Sequence, residues 1–424
     1  MHAVVKTRRG RGGSVAEVET PKMGDRDVLA KVEAAAICGT DVHIWQWNQW
    51  AEQRIKKMPL ILGHEFAGRV VEVGHSVSTL EKGDMISGET HVVDGTCYQC
   101  RTDRRHVCQN MEILGVDRDG AFAEYLALPE ENAWKNDPSL EPEIASLQEP
   151  LGNAVHAALP KDNIEDIAGN TVAVLGCGPI GLMAIAVVKE LGASQVLATA
   201  GGGNKLRLDL ASAMGADLVF DAQKEGERVV SKILAATDGK GVDVILEMSG
   251  SSLALKQAFD ILTPGGRVSL LGVFDKSVEL DLNDTVIFKA ARVYGITGRR
   301  MFQTWYQVKG LLSKPAFKSK IRQLITHRVP ILDIAKGMDL IVNKQAGKVA
   351  LNSTGIEQHA LAHRRFHATS DPSEICSHSR IGQPSTRSWR RIEWEAQISP
   401  SLFPPSSKTS MALSRCFVVC LAHS

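Results

Sequence analysis

Five side chains between positions 38 and 65 could bind a transition metal and move a proton: Cys38, Thr40, His43, His64 and Glu65. A thiolate, an imidazole and a carboxylate from Cys38, His64 and Glu65 form a donor set that suits Zn²⁺. Three protein ligands leave a fourth position for water or substrate, as a catalytic zinc needs and a structural zinc avoids. Thr40 and His43 follow the thiolate closely and offer a hydroxyl and an imidazole able to pass a proton to solvent. Taken singly, each residue has a plainer reading. A lone cysteine is usually a small buried hydrophobe, and a lone histidine near an apolar run is usually a hydrogen-bonded core residue. The cluster, together with a nucleotide loop further along, favours the metal.

A second set, Asp94, Cys97, Cys100 and Cys108, has the spacing C-x2-C-x7-C with a carboxylate three residues ahead. Such a run can close around a structural zinc. A carboxylate at Asp94 binds zinc, although a thiolate is the softer and commoner ligand. The alternative is a loop of reduced thiols without metal. The remaining cysteines are scattered, which fits a reducing compartment better than a disulfide framework.

The third set is a turn. TVAVLGCGPIGLMAIAVVKELGA places a β-branched run before Gly176, Gly178 and Gly181, then an apolar helix. These glycines permit a tight turn and close approach of backbone to a pyrophosphate at the helix N-terminus. The motif alone is weak, but further βα units follow in step. Strands are expected at Gln195–Thr199, Leu218–Phe220, Val242–Glu247 and Arg267–Leu271, with helices near Lys205–Met214, Arg228–Thr237 and Leu253–Leu262. Alternation of this kind builds a doubly wound parallel sheet. The second strand then runs into Ala200-Gly-Gly-Gly-Asn204-Lys205-Leu-Arg207, with no carboxylate before Asp209. An NAD-binding unit normally supplies an acid there for the ribose 2′-hydroxyl. Its absence, with Lys205 and Arg207 nearby, leans toward NADP or tolerance of both cofactors, unless the two cations are simply solvated residues opening a helix.

Around these sets, residues 1–155 read as a mostly β domain, with strands at Val28–Ala34, Gly68–Gly74, Leu80–Val93 and Ala121–Leu128. Residues 156–295 form the nucleotide-binding domain, and 296–353 return to barrel-type patterning with a last strand at 347–352 paired into the first domain. From 354 to 424 the chain is rich in serine, histidine and arginine pairs and lacks hydrophobic periodicity until CFVVCLA, so it reads as a disordered appendage. With 44% hydrophobic and 23% charged residues the composition is that of a globular protein. The net charge of +1 argues against a nucleic-acid or anionic-membrane footprint. With no apolar signal core at its start, the chain is expected in the cytoplasm.

The chain resembles the zinc-dependent medium-chain alcohol dehydrogenases. The family's zinc signature stands here as Gly63-His64-Glu65, and its loop as Ile37-Cys-Gly-Thr-Asp-Val-His43. Glu149-Pro-Leu-Gly-Asn-Ala-Val-His156 and Gly298-Arg-Arg-Met-Phe-Gln-Thr-Trp-Tyr306 look like the branch that oxidises L-threonine. The resemblance covers about residues 1–353 and implies an α/β protein, with a GroES-like β-barrel catalytic domain and a Rossmann coenzyme domain. It implies oxidation of L-threonine to L-2-amino-3-oxobutanoate with NAD⁺, one catalytic zinc, one structural zinc and a homotetramer. It assigns Cys38, His64 and Glu65 to the catalytic zinc, Thr40 and His43 to a proton relay, and Glu149 to a carboxylate that tunes the site. Ile180, Leu271, Gly272, Val273, Ile296 and Thr297 match cofactor contacts, and Arg207 a contact to the adenosine ribose. Asn204 offers a replacement partner for the ribose hydroxyls. Rival readings are a polyol or butanediol dehydrogenase on the same scaffold, or a nucleotide-binding protein without catalysis.

Overall fold

The run Thr171–Leu175 is buried along nearly its whole length, as expected of a strand flanked by others on both sides and covered by helices. It is the middle of a six-stranded, wholly parallel sheet. The order is Leu218–Asp221, Gln195–Ala200, Thr171–Leu175, Val242–Glu247, Leu262–Leu270, Arg292–Gly295. The chain thus winds outward one way from Thr171–Leu175 and then restarts beside it in the other direction. A crevice opens beyond the carboxyl ends of Thr171–Leu175 and Val242–Glu247, where the winding reverses. The structure, a computed structural model, describes residues 1–274 and 276–352. The expectation made for residues 354–424 lies outside the described residues.

Helix Pro179–Glu190 starts at Gly178, has proline at its first position and buries Leu182, Met183, Ile185, Val187 and Val188 against the sheet. Burial of each such side chain contributes roughly 1.5–3 kcal/mol. The helix that carries the phosphate turn is therefore fixed by packing rather than by propensity.

A second sheet holds the metal candidates. Its order is Ala133–Lys135, Met85–Gly88, Glu65–Val73, Asp27–Ala36, Lys348–Asn352, Ile325–Pro330, with Tyr125–Pro129 also paired to Asp27–Ala36. The final strand pairs antiparallel with Asp27–Ala36, so Leu351 lies opposite Ala35.

Two expectations are corrected. Residues 296–352 are not barrel-like throughout: helices Gln303–Leu312, Pro315–Gln323 and Ile334–Val342 precede or separate the strands Ile325–Pro330 and Lys348–Asn352. Thr304, Trp305, Val308, Leu311 and Leu312 are the buried set of the first helix, a 3.6-residue period that outweighs the local β-branched content. Leu80–Val93 is not one strand either. It breaks into Met85–Gly88 and His91–Val92, which belong to different sheets. The break falls at Glu89 and Thr90, whose side chains turn inward to Arg299. The expected boundary between residues 155 and 156 falls inside helix Gln148–Ala158.

Candidate active site and metal centres

Ala36 and Glu65 are opposite one another in the antiparallel pair Asp27–Ala36 and Glu65–Val73. Two residues past Ala36, Cys38 caps helix Gly39–Gln46. One strand end and its neighbour's beginning thus bring Cys38, His64 and Glu65 together, and one ligand atom from each lies within 4.8 Å of the others. Gly63 permits this approach. Its φ is +91°, and a Cβ there would stand 2.1 Å from the Phe122 ring, so no other residue fits before His64.

The cluster is held by residues that sequence reading did not single out. Asp41, fully buried, accepts the backbone N–H of Cys38 at 2.8 Å, and its other oxygen lies 3.5 Å from His64 Nδ1. A carboxylate at Nδ1 directs Nε2 toward a metal. Burial pushes the His64 imidazole toward neutrality, but Asp41 and the Cys38 thiolate together hold its pKa well above the ordinary value. Glu65, also fully buried, pairs with Lys348, whose ammonium donates to Oε1 at 2.6 Å. Burial raises the Glu65 carboxyl to about 7, with Lys348 opposing.

A second buried ion-pair group lies alongside. Arg299 donates to both oxygens of Glu89, to Glu149 Oε1 and to Thr90 Oγ1. Trp305 Nε1 donates to Glu89 at 2.8 Å. Glu149 Oε2 is buried without a hydrogen-bond partner. The signals were present: Asp41 lies inside the Cys38 motif, Arg299 inside the 298–306 stretch, and Lys348 inside a strand with four buried residues.

The donor atoms fit a zinc ion. A thiolate, an imidazole and a carboxylate converge within 4.8 Å, and because His64 Nδ1 faces Asp41 at 3.5 Å, the imidazole's free donor is Nε2. Thr40 Oγ1 lies 4.0 Å from Cys38 Sγ, and His43, exposed three residues further along the helix, contacts Asn48 Nδ2 at 2.7 Å.

Asp94, Cys97, Cys100 and Cys108 also converge within 4.8 Å, on the loop that joins His91–Val92 to Glu112–Ile113. Cys97 Sγ and Cys108 Sγ are 3.8 Å apart. Tetrahedral zinc with Zn–S bonds of about 2.3 Å separates its sulfurs by about the same distance. Asp94 Oδ1 accepts the N–H groups of Thr96 and Cys97, and Oδ2 accepts from Asn110. These bonds hold its carboxyl well below the usual range, fill both acceptor sites of Oδ1 and leave one lone pair, on Oδ2.

At the crevice, Gly176 has φ +108°, and a Cβ on Gly181 would stand 1.9 Å from the Gly176 carbonyl oxygen. Gly178 has nothing within 4 Å of its Cβ position. The turn is therefore closed beneath and open above, a shape that fits a pyrophosphate. Ile180 lies in the first turn of the helix. Leu271, Gly272 and Val273 directly follow strand Leu262–Leu270, and the N–H groups of Leu271 and Gly272 bond the Glu247 carbonyl at 3.0 and 3.1 Å. Ile296 and Thr297 follow Arg292–Gly295 on the same edge. Asn204 is placed differently from the expectation of a ribose partner. Its Oδ1 accepts from Arg207 N as the cap of helix Lys205–Met214, and its Nδ2 donates to the Lys344 carbonyl. Lys205 pairs with Asp209 on the surface.

The alcohol dehydrogenase GroES-like domain family matches residues 24–138, and the zinc-binding dehydrogenase family matches residues 179–314. An L-threonine 3-dehydrogenase of Caldanaerobacter subterraneus is 47% identical over 351 residues, covering 83% of this chain and 98% of the relative. One of Pyrococcus horikoshii is 47% identical over 350 residues, covering 82% and 97%. Among solved structures, a zinc-binding dehydrogenase of Sinorhizobium meliloti bound to NADP is 31% identical with a TM-score of 0.73, covering 83% of this chain and 98% of that one. The 2R,3R-butanediol dehydrogenase of Bacillus subtilis is 29% identical with a TM-score of 0.73, covering 83% and 99%. A GroES-like half, a doubly wound nucleotide half and a convergent Cys-His-Glu cluster agree with these likenesses, and the chain belongs to the zinc-dependent alcohol dehydrogenase family.

Proposed function

We propose that the protein oxidises L-threonine to L-2-amino-3-oxobutanoate with NAD⁺ as hydride acceptor. The observation that carries this reading is 47% identity to L-threonine 3-dehydrogenases along nearly their whole length. The convergence of half-buried Cys38 with buried His64 and Glu65 supports it independently. These three residues would hold a catalytic zinc, and Asp94, Cys97, Cys100 and Cys108 a second, structural one. Zinc at the first site would supply Lewis acidity toward a bound β-hydroxyl, and a bound nicotinamide would supply the hydride acceptor.

The chain's own residues do the rest. Thr40 accepts the hydroxyl proton and passes its own to His43, three residues on and on the same face of helix Gly39–Gln46. His43 is exposed, so its imidazole exchanges that proton with solvent. Asp41 keeps His64 in one tautomer, and Lys348 orients Glu65 and opposes the rise that burial imposes on its carboxyl. Glu149, anchored to Arg299 by one oxygen, keeps its other oxygen available to tune the charge at the site. The glycine turn at Gly176, Gly178 and Gly181 seats the pyrophosphate, with Ile180, Leu271–Val273, Ile296 and Thr297 lining the way to the nicotinamide.

No helix among the described residues is long and apolar enough to cross a membrane, and the reading is of a cytoplasmic homotetramer. The exposed Ile287, Phe288 and Val293, beside or on the edge strand Arg292–Gly295, support a subunit contact. The test is steady-state turnover of the purified full chain, with L-threonine set against a panel of diols and polyols. Threonine turnover is the expected result. Turnover of 2,3-butanediol without threonine would move the protein to the diol branch, which the likeness to the Bacillus subtilis enzyme makes the second reading.

A further inference from the structure

Strand Gln195–Ala200 ends in an alanine. A dinucleotide fold that selects NAD⁺ carries a carboxylate near this point, which bonds the ribose 2′-hydroxyl and repels a 2′-phosphate. The loop that follows has no side chains on Gly201, Gly202 and Gly203, and the last two have φ of +83° and +61°. Lys344 reaches across it, with its ammonium 3.2 Å from the position of a Gly202 Cβ. The Lys344 carbonyl is tied to the same loop by Asn204 Nδ2. Arg207, half-buried, stands in the first turn of helix Lys205–Met214, and its Nε is buried without a hydrogen-bond partner. Among the described residues neither the Lys344 ammonium nor the Arg207 guanidinium is engaged by a carboxylate.

The two nearby acids, Asp221 and Asp209, are engaged elsewhere. Asp221 lies opposite Ala200 in the neighbouring strand, but it is turned into its own helix cap. Its Oδ1 accepts from Gln223 N and Lys224 N, and the Lys224 ammonium lies 3.4 Å from Oδ2. Asp209 is occupied by Lys205.

We propose that Arg207 and Lys344 form a 2′-phosphate subsite, so that the chain binds NADP(H) at least as tightly as NAD(H). This rests on the dinucleotide-oxidoreductase reading above and adds a cofactor specificity to it. The guanidinium offers several fixed donors to phosphate oxygens, the ammonium a mobile point charge, and the alanine removes the repulsion.

The test is isothermal titration of the full, zinc-loaded chain with NADPH and with NADH, without substrate. The expected result is a Kd for NADPH equal to or below that for NADH, with the NADPH value alone rising steeply with salt. Lys344→Ala should weaken NADPH about tenfold, or about 1.4 kcal/mol, and leave NADH within about threefold. Ala200→Asp should shift the preference toward NADH by about tenfold or more, because the new carboxylate repels the 2′-phosphate. Arg207→Ala should weaken both ligands, NADPH more. NADPH binding more than about tenfold weaker than NADH in the unmodified chain would overturn the subsite while leaving the proposed reaction standing. Binding of neither nucleotide would overturn both.

Discussion

Replacing Arg299 by methionine tests the buried charge group beside the active site. Arg299 is 1% exposed, and its partners Glu89 and Glu149 are 0% and 5% exposed. Burial pushes the Glu89 carboxyl up, but Arg299 overrides this and holds it at about 2, against about 4.3 for a free glutamate. That gap corresponds to about 3 kcal/mol of stability at neutral pH. A group held low contributes fully above its unfolded pKa, and its contribution disappears as pH falls from about 4.3 toward 2. Without Arg299 two carboxylates stay buried with no cation between them, and the loss should be about 3–5 kcal/mol. The pH response should also reverse in sign. Burial alone raises Glu89, so the variant should regain stability as pH falls from 7 toward 5, a window in which the wild type gains nothing from this group. Urea unfolding at fixed protein and zinc concentration, followed by tryptophan emission, reads this directly, because Trp305 donates to Glu89. Glu89→Gln added to the variant should restore about 1 kcal/mol or more. A variant within about 1 kcal/mol of wild type at pH 7, with no gain toward pH 5, would refute the assignment of Arg299 as counter-charge.

Cys38→Ser should lower catalytic zinc content and turnover together, read by elemental analysis and the threonine assay; a zinc-free, fully active variant would remove the metal from the reading. His43→Ala should keep its zinc and lose about 10²-fold or more in turnover near neutral pH, whereas unchanged turnover there would take His43 out of the relay. Asp94→Ala should release the second zinc and lower the thermal midpoint, while Asp94→Cys should retain it, since a thiolate is the better ligand. Equal metal content in all three proteins would show that Asp94 is not a ligand.

Much of the fold was legible because its signals are local. The glycine turn lies within one βα unit, and Cys38, His64 and Glu65 lie at the facing ends of two adjacent strands. The helices of 296–352 were missed because Gln303–Leu312 and Ile334–Val342 are rich in residues that suit both strand and helix, and only their spacing decides. Asn204, expected at the ribose, is engaged locally, because an asparagine ahead of a helix has a closer use as the cap of its own first turn. The supporting ion pairs had no local signal. Lys348 meets Glu65 across 283 residues, and Arg299 meets Glu89 across 210. Charged residues are almost never fully buried unless paired, so a reading of either partner alone puts it in solvent.

Those pairs together leave an imbalance with a consequence of its own. Asp41, Glu65, Glu89 and Glu149 are buried around the Cys38 thiol, and the buried cations facing them are Arg299 and Lys348. Four carboxylates to two cations is a surplus of negative charge that a dication would offset. Removal of the metal should therefore cost stability, and the cost should depend on pH. In the metal-free chain His64 lies well above its ordinary pKa and Glu65 at about 7. Both groups take up protons more readily folded than unfolded, so the stability they lend is lost as pH rises through those values. Metal binding needs the same groups deprotonated and strengthens over the same range. The gap in unfolding midpoint between zinc-loaded and chelated protein should thus widen from pH 6 to pH 8. A gap that is constant or narrows with pH would mean that protonation of the cluster does not stand in for the metal, and that the surplus charge is neutralised elsewhere.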